Sequence, residues 1–152
     1  MQSVEVTRTI SATPEQVWNV YTDHADWKAW SGVSHSSLIV AGTPDRNGTG
    51  AVRRLGTYRM YAHEEILEFD PPRRMTYRVV KGGLGIKNHL GEVLFDPNGN
   101  GTQITWRCRF DTKVPGFGRI MRAIVTRVFR DALDGLERHS FPDDPSSSPG
   151  IL

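Results

Sequence analysis

Polar and apolar residues alternate at the start of the chain. Val4, Val6 and Ile10 fall on one face, and Glu5, Thr7 and Thr9 on the other. A period of two marks a half-buried strand over residues 3–10, with Arg8 out of place on its inner face. The pattern then changes. Thr13, Pro14 and Gln16 read as a helix start: threonine and glutamine form a capping box, and proline suits the first helical position. Val17, Trp18 and Tyr21 give that helix a short apolar stripe. Asp23 can cap a second short helix containing Trp27 and Trp30, which stops near Ser31-Gly32.

Strands with turn punctuation follow, over 34–41, 49–55, 58–69, 74–81, 87–96 and 102–112. Residues 44–48 and 96–101 carry the proline, glycine and asparagine of loops, and Asp70-Pro71-Pro72-Arg73 is a tight reversal. Gaps this short allow only antiparallel neighbours, because a parallel pair needs a crossover of a dozen or more residues. The last strand alternates cleanly, with Ile104, Trp106, Cys108 and Phe110 inside. Beyond Pro115-Gly116 the period becomes 3.6. Phe117, Ile120, Met121, Ile124, Val125, Val128, Phe129, Ala132 and Leu136 define one apolar face of a long helix over about 116–139. Residues 142–152 are polar and proline-rich and are expected to be a disordered tail, leaving one domain over 1–141.

This order predicts an α+β fold. A seven-stranded curved antiparallel sheet wraps around a long C-terminal helix, with two short helices after the first strand. Such a sheet and one helix do not fill the space between them. The remaining volume is the natural site for a ligand, expected to be roughly 300–1,000 Å³.

Composition adds limits more than clues. The chain has 152 residues, 38% of them apolar and 24% charged, enough for a real core without cross-links. Its net charge of +2 gives no reason to expect nucleic acid as a partner. Cys108 is the single cysteine, which excludes an intrachain disulfide and suits a small buried thiol. No signal-like opening or membrane-length apolar run stands out, so a cytoplasmic protein without an integral membrane segment is expected.

Several segments carry a family likeness: residues 10–18 (ISATPEQVW), the spacing Asp23, Trp27, Trp30, and residues 48–53 (GTGAVR). Residues 70–77 (DPPRRMTY) and 101–106 (GTQITW) complete it. Over about residues 3–139 the chain resembles the START/Bet v 1-like (SRPBCC) helix-grip superfamily, most closely its polyketide cyclase/dehydrase and lipid-transport branch. The resemblance implies a deep apolar cavity that binds a lipid, a polyketide or a similar flat hydrophobic molecule. Some relatives are aromatase/cyclases, so a cyclase-type enzyme using polar pocket residues is the alternative.

The residues set their own candidates. Metal-ligand spacing, nucleophile elbows and phosphate loops are missing, so neither metal nor cofactor is expected. Gly82-Gly83-Leu84-Gly85 reads as a flexible loop near the pocket mouth. On strand 58–69, Tyr61, His63 and Glu65 share one face, and Met60, Ala62, Glu64 and Ile66 the other. Ile66 argues that the second set points inward, Leu67 and Phe69 argue for the first, and a bulge would reconcile them. His89 lies on an otherwise apolar strand face with Gly91, Val93 and Phe95, where it would orient a ligand or serve as a general base. Candidate ligand contacts are Trp30, Arg53, Tyr61, His63, Tyr77, His89, Phe95, Trp106, Phe110, Phe117 and Met121. In the cyclase alternative, His89, Tyr61, His63 or Arg53 would be the acid, base or carbonyl anchor. Arg119, Arg122, Arg127 and Arg130 on the long helix offer a face for an acidic protein or carrier.

Overall fold

The computed structural model describes residues 1–139 and 141; the expected tail over 142–152 lies outside the described residues. Strand β1 (Gln2–Ile10) leads into helix α1 (Pro14–Tyr21) and a 3-10 turn of helix over His24–Ala29. Six strands follow: β2 (His35–Val40), β3 (Val52–Gly56), β4 (Tyr61–Asp70), β5 (Arg74–Gly82), β6 (Ile86–Asn98) and β7 (Gly101–Thr112). Helix α2 (Gly118–Arg138) closes the fold. The sheet order is β1-β7-β6-β5-β4-β3-β2, antiparallel throughout, so β2 to β7 form a meander and β1 adds to its far edge.

The local signals act as their chemistry requires. Thr13 Oγ1 accepts from the Gln16 backbone, and Gln16 Oε1 accepts from Thr13 N–H, closing the capping box. Such a cap is worth about 1 kcal/mol. Asp23 makes no capping bond through its side chain, and the segment after it winds as 3-10 helix instead. Strand β3 begins only at Val52, because Gly48 to Ala51 form a turn.

Strand register builds the interior in rows. Val4 pairs with Cys108, Cys108 with Gly91, Gly91 with Tyr77 and Tyr77 with Ile66, so five strands contribute one continuous inner row. Gly91 is required there: a Cβ at this position would enter the Tyr77 ring. The β4–β5 register shifts between Ile66 and Phe69, so both residues turn inward and Phe69 meets the Trp18 ring at 5.0 Å. The conflicting parity of strand 58–69 is thereby explained by a bulge.

Aromatic rings fill one end of the interior. Trp18, Tyr21, Trp27, Trp30, Phe95 and Trp106 meet at centroid distances of 4.8–6.0 Å, mostly edge-on or tilted. The C-terminal half of α2 presses on this end through Phe129, Ala132, Leu133 and Leu136, all buried. Gly135 allows the contact, since a Cβ there would collide with the Trp30 carbonyl. Arg8, the misplaced charge of β1, reaches α2 and pairs with Asp134 (2.5 Å) and Glu137 (2.8 Å). The pairs are partly exposed and contribute little net stability, but they fix which end of the helix lies against β1.

The N-terminal half of α2 behaves differently. Phe117, Ile120, Ile124 and Val128, expected to be buried on the helix's apolar face, are about half exposed. The helix packs on β1 and β7 but does not close over β4 and β5, and a space opens between them.

Candidate functional site

That space is a cavity of about 190 Å³, open on one side, between β3–β6 and the first half of α2. It is smaller than the sequence led us to expect, because four tryptophans and their aromatic neighbours occupy the other end of the interior. Its walls are mainly aliphatic: Leu55 and Ala62, Val79 and Ile86, and Met121, Ile124, Val125 and Val128 from the helix. Gly83 and Leu84 of the β5–β6 turn stand at the opening opposite the helix, with Met60 beside them. A wider hollow of about 540 Å³ lies on the outer sheet face, but there Glu92 is already held by both Arg74 and Arg107.

Besides Tyr61 at its edge, three polar groups interrupt the apolar wall: Glu64, Tyr77 and His89. Glu64 is set by register, directly opposite Arg53 on β3, with both side chains inward. Arg53 is fully buried. Its Nε donates to Glu64 Oε1 at 2.9 Å, and Nη2 lies 2.9 Å from the same oxygen but out of line for a hydrogen bond. The guanidinium is sandwiched between the rings of Trp27 (4.6 Å) and Tyr77 (4.8 Å). Burial is the largest single influence and opposes its charge, but Glu64 together with the Tyr21 and Tyr77 hydroxyls outweighs it, so the arginine is held protonated.

His24 completes the support. Arg53 Nη1 donates to His24 Nδ1 at 3.3 Å, and His24 Nε2–H donates to the Asn47 carbonyl at 2.8 Å. Burial first, and the neighbouring arginine second, push its pKa down to about 3, so the imidazole stays neutral. Tyr77 is buried against the other side of the guanidinium and accepts a 2.7 Å hydrogen bond from Trp106 Nε1. Burial raises its pKa well above the ordinary phenol value, and it is a neutral hydroxyl.

His89 is half-buried and lies 5.4 Å from the Tyr77 ring. The Val79 N–H donates to its Nδ1 at 3.2 Å, which leaves the proton of the neutral ring on Nε2. Burial lowers its pKa; Glu64 counteracts this in part and Arg53 adds to the lowering. His89 is therefore a hydrogen-bond donor. A general base at Nε2 would require the other tautomer, with Nδ1–H facing Val79 N–H.

Of the eleven candidate residues, Tyr77, His89 and Met121 line the cavity, and Tyr61 borders it at the start of β4 with its ring against Arg54 and His63. Arg53 and Trp106 stand directly behind the wall, through Glu64 and Tyr77 respectively. Trp30, Phe95 and Phe110 are buried in the aromatic core, away from the cavity lining. His63 is on the other side of β4, where it meets the Tyr61 ring at 5.2 Å and has Arg54 and Lys81 as charged neighbours. Phe117 is half exposed ahead of α2 and does not reach the cavity. His24 was not foreseen, and Glu64 was named only as part of the set that lines the cavity if its strand face points inward, without its pairing to Arg53. Ala51, Arg53 and Leu55 alternate inward, so a buried arginine was legible, and the acid opposite it across the hairpin is Glu64.

Cys108 is buried, and burial pushes its thiol up to about 12, so it is a core residue without nucleophilic character. Among the described residues, no three or more His, Cys, Asp or Glu side chains gather to hold a metal, and no helix is long and apolar enough to cross a membrane. Arg119, Arg122, Arg127 and Arg130 border a shallow groove on the outer face of α2, where Arg127 pairs with Asp131 at 3.4 Å.

A curved antiparallel sheet, one gripping helix and an apolar cavity between them define a helix-grip protein. Residues 1–140 match the model of the polyketide cyclase/dehydrase and lipid transport family, and the chain belongs to that family. Solved structures agree in fold. A START superfamily protein from Mycobacterium smegmatis superposes with TM-score 0.76 at 13% identity, covering 89% of this chain and 94% of that one. The protein XoxI from Bacillus cereus gives 0.74 at 20% identity over 91% and 94%. Ara h 8.0201 gives 0.70 at 14% identity over 90% and 94%. No curated protein sequence matches this chain.

Proposed function

We propose that the protein binds a compact hydrophobic small molecule between the sheet and the first half of α2. The observation that carries this reading is the cavity itself: an aliphatic hollow beside a densely packed aromatic core, with a charge pair already satisfied at its wall. An apolar site with a few fixed polar groups is the usual design of a small-molecule pocket. Its volume suits a flat molecule of one or two rings. A lipid or polyketide chain would leave part of its length in the open mouth, against Leu84, Ile124 and Val128.

The cyclase alternative keeps one specific support, the Nε2–H of His89, which could polarise a ligand carbonyl. A base is not offered by that tautomer, so binding without turnover is the reading we favour. An acidic protein or carrier docking on the arginine groove of α2 would sit beside the same opening.

Native mass spectrometry of freshly purified protein tests the proposal. An apolar molecule of low mass, retained at gentle activation and lost in a Val125→Phe variant, is the expected result. Failure to retain or take up any apolar molecule, naphthalene included, would overturn it.

A further inference from the structure

We propose that the cavity selects apolar ligands carrying a neutral hydroxyl at the buried end, and rejects the matching carboxylates. This rests on the binding reading above and names its ligand class.

The argument starts from what Glu64 has left to offer. The Arg53 nitrogens converge on one carboxylate oxygen, Oε1, and among the described residues no other donor reaches the group. Glu64 nevertheless lines the cavity, so its second oxygen is an acceptor for a ligand. Arg53 itself does not meet a ligand: it is not part of the cavity lining, and it is fully buried between Trp27 and Tyr77, with Nε on Glu64 and Nη1 on His24.

A donor stands close to that acceptor. Glu64 pairs across the ladder with Val79, and it is the Val79 N–H that fixes the His89 ring. Three adjacent strands thus bring an acceptor oxygen and an Nε2–H donor to one part of the wall. A hydroxyl satisfies both, donating to Glu64 and accepting from His89. A carboxylate offers no proton to Glu64 and places like charge beside it in an apolar lining, where burying an unpaired anion is costly. A bare hydrocarbon leaves both groups unsatisfied.

Isothermal titration of the full chain with β-naphthol, β-naphthoate and naphthalene, near neutral pH, separates these cases. The naphthol is expected to bind about ten-fold tighter than naphthalene, as one or two hydrogen bonds provide. The naphthoate should bind at least about ten-fold more weakly than the naphthol. In Glu64→Gln the preference for naphthol over naphthoate should shrink several-fold. That variant strips Arg53 of its partner and is at risk of unfolding, so His89→Leu, which touches no ion pair, is measured alongside. There the naphthol should lose most of its advantage over naphthalene while naphthalene affinity holds. Equal binding of naphthol and naphthoate, or an unchanged naphthol advantage in His89→Leu, would overturn the selectivity and leave the binding site standing. Binding of none of the three would overturn both.

Discussion

The two halves of α2 cover the same sheet with opposite results. Toward the C-terminus, Phe129, Leu133 and Leu136 are buried, and Trp106 stacks on Phe129 at 4.0 Å, where the cavity lining along the helix ends. Toward the N-terminus, Ile124, Val125 and Val128 face Leu55, Val79 and Ile86 across a gap. Aromatic side chains bridge the distance between sheet and helix, and short aliphatic ones do not. One half therefore supplies stability and the other a hollow. The Arg53–Glu64 pair stands at the boundary, its cation inside the aromatic half and its carboxylate on the cavity wall.

Breaking that boundary should have the largest effect. In Arg53→Ala, Glu64 is left without its partner and Trp27 and Tyr77 lose the group packed between them. Removing one partner of a buried pair costs about 3–5 kcal/mol. Equilibrium urea denaturation checks this, and a loss below about 1 kcal/mol would mean the pair is solvated in reality.

The packed half should also respond to acid. The unfolded chain protonates His24 near pH 6.5, whereas the folded chain does so only near 3. Its contribution is complete above 6.5 and is lost as pH falls toward 3, at up to about 1.4 kcal/mol per pH unit. His63 and His89 are shifted in the same direction and add to the slope. Urea midpoints at pH 7 and pH 5 should differ accordingly in the wild type, and the difference should shrink in His24→Gln.

The fold was legible in the sequence and the site only partly, for a physical reason. Periodicity reports which face of an element is apolar, and that placed β1, β7 and the capping box of α1 closely. It cannot report how far apart two apolar faces stand. Ile120 and Ile124 carry the same helical pattern as Phe129 and Leu136, yet they end up exposed because α2 leans mainly on β1 and β7. For the same reason Phe95, Phe110 and Trp30 looked like pocket residues and are core. His89, conspicuous in the sequence as a lone polar residue on an apolar strand, stands in the cavity lining. Glu64 stayed in one of two open face assignments because the bulge after Ile66 obscured the parity of its strand, and its pairing depends on Arg53 across a hairpin.

The division of labour between the halves is tested most directly by filling the open one. Val125→Phe adds a ring to the cavity wall at a partly buried position. Stability should be unchanged or raised by up to about 1 kcal/mol, as cavity filling commonly gives. Naphthalene affinity, measured by titration calorimetry on the same preparation, should fall at least about ten-fold, the loss of one well-buried apolar contact. Undiminished binding in a folded Val125→Phe variant would contradict the claim that the space under the first half of α2 is the site.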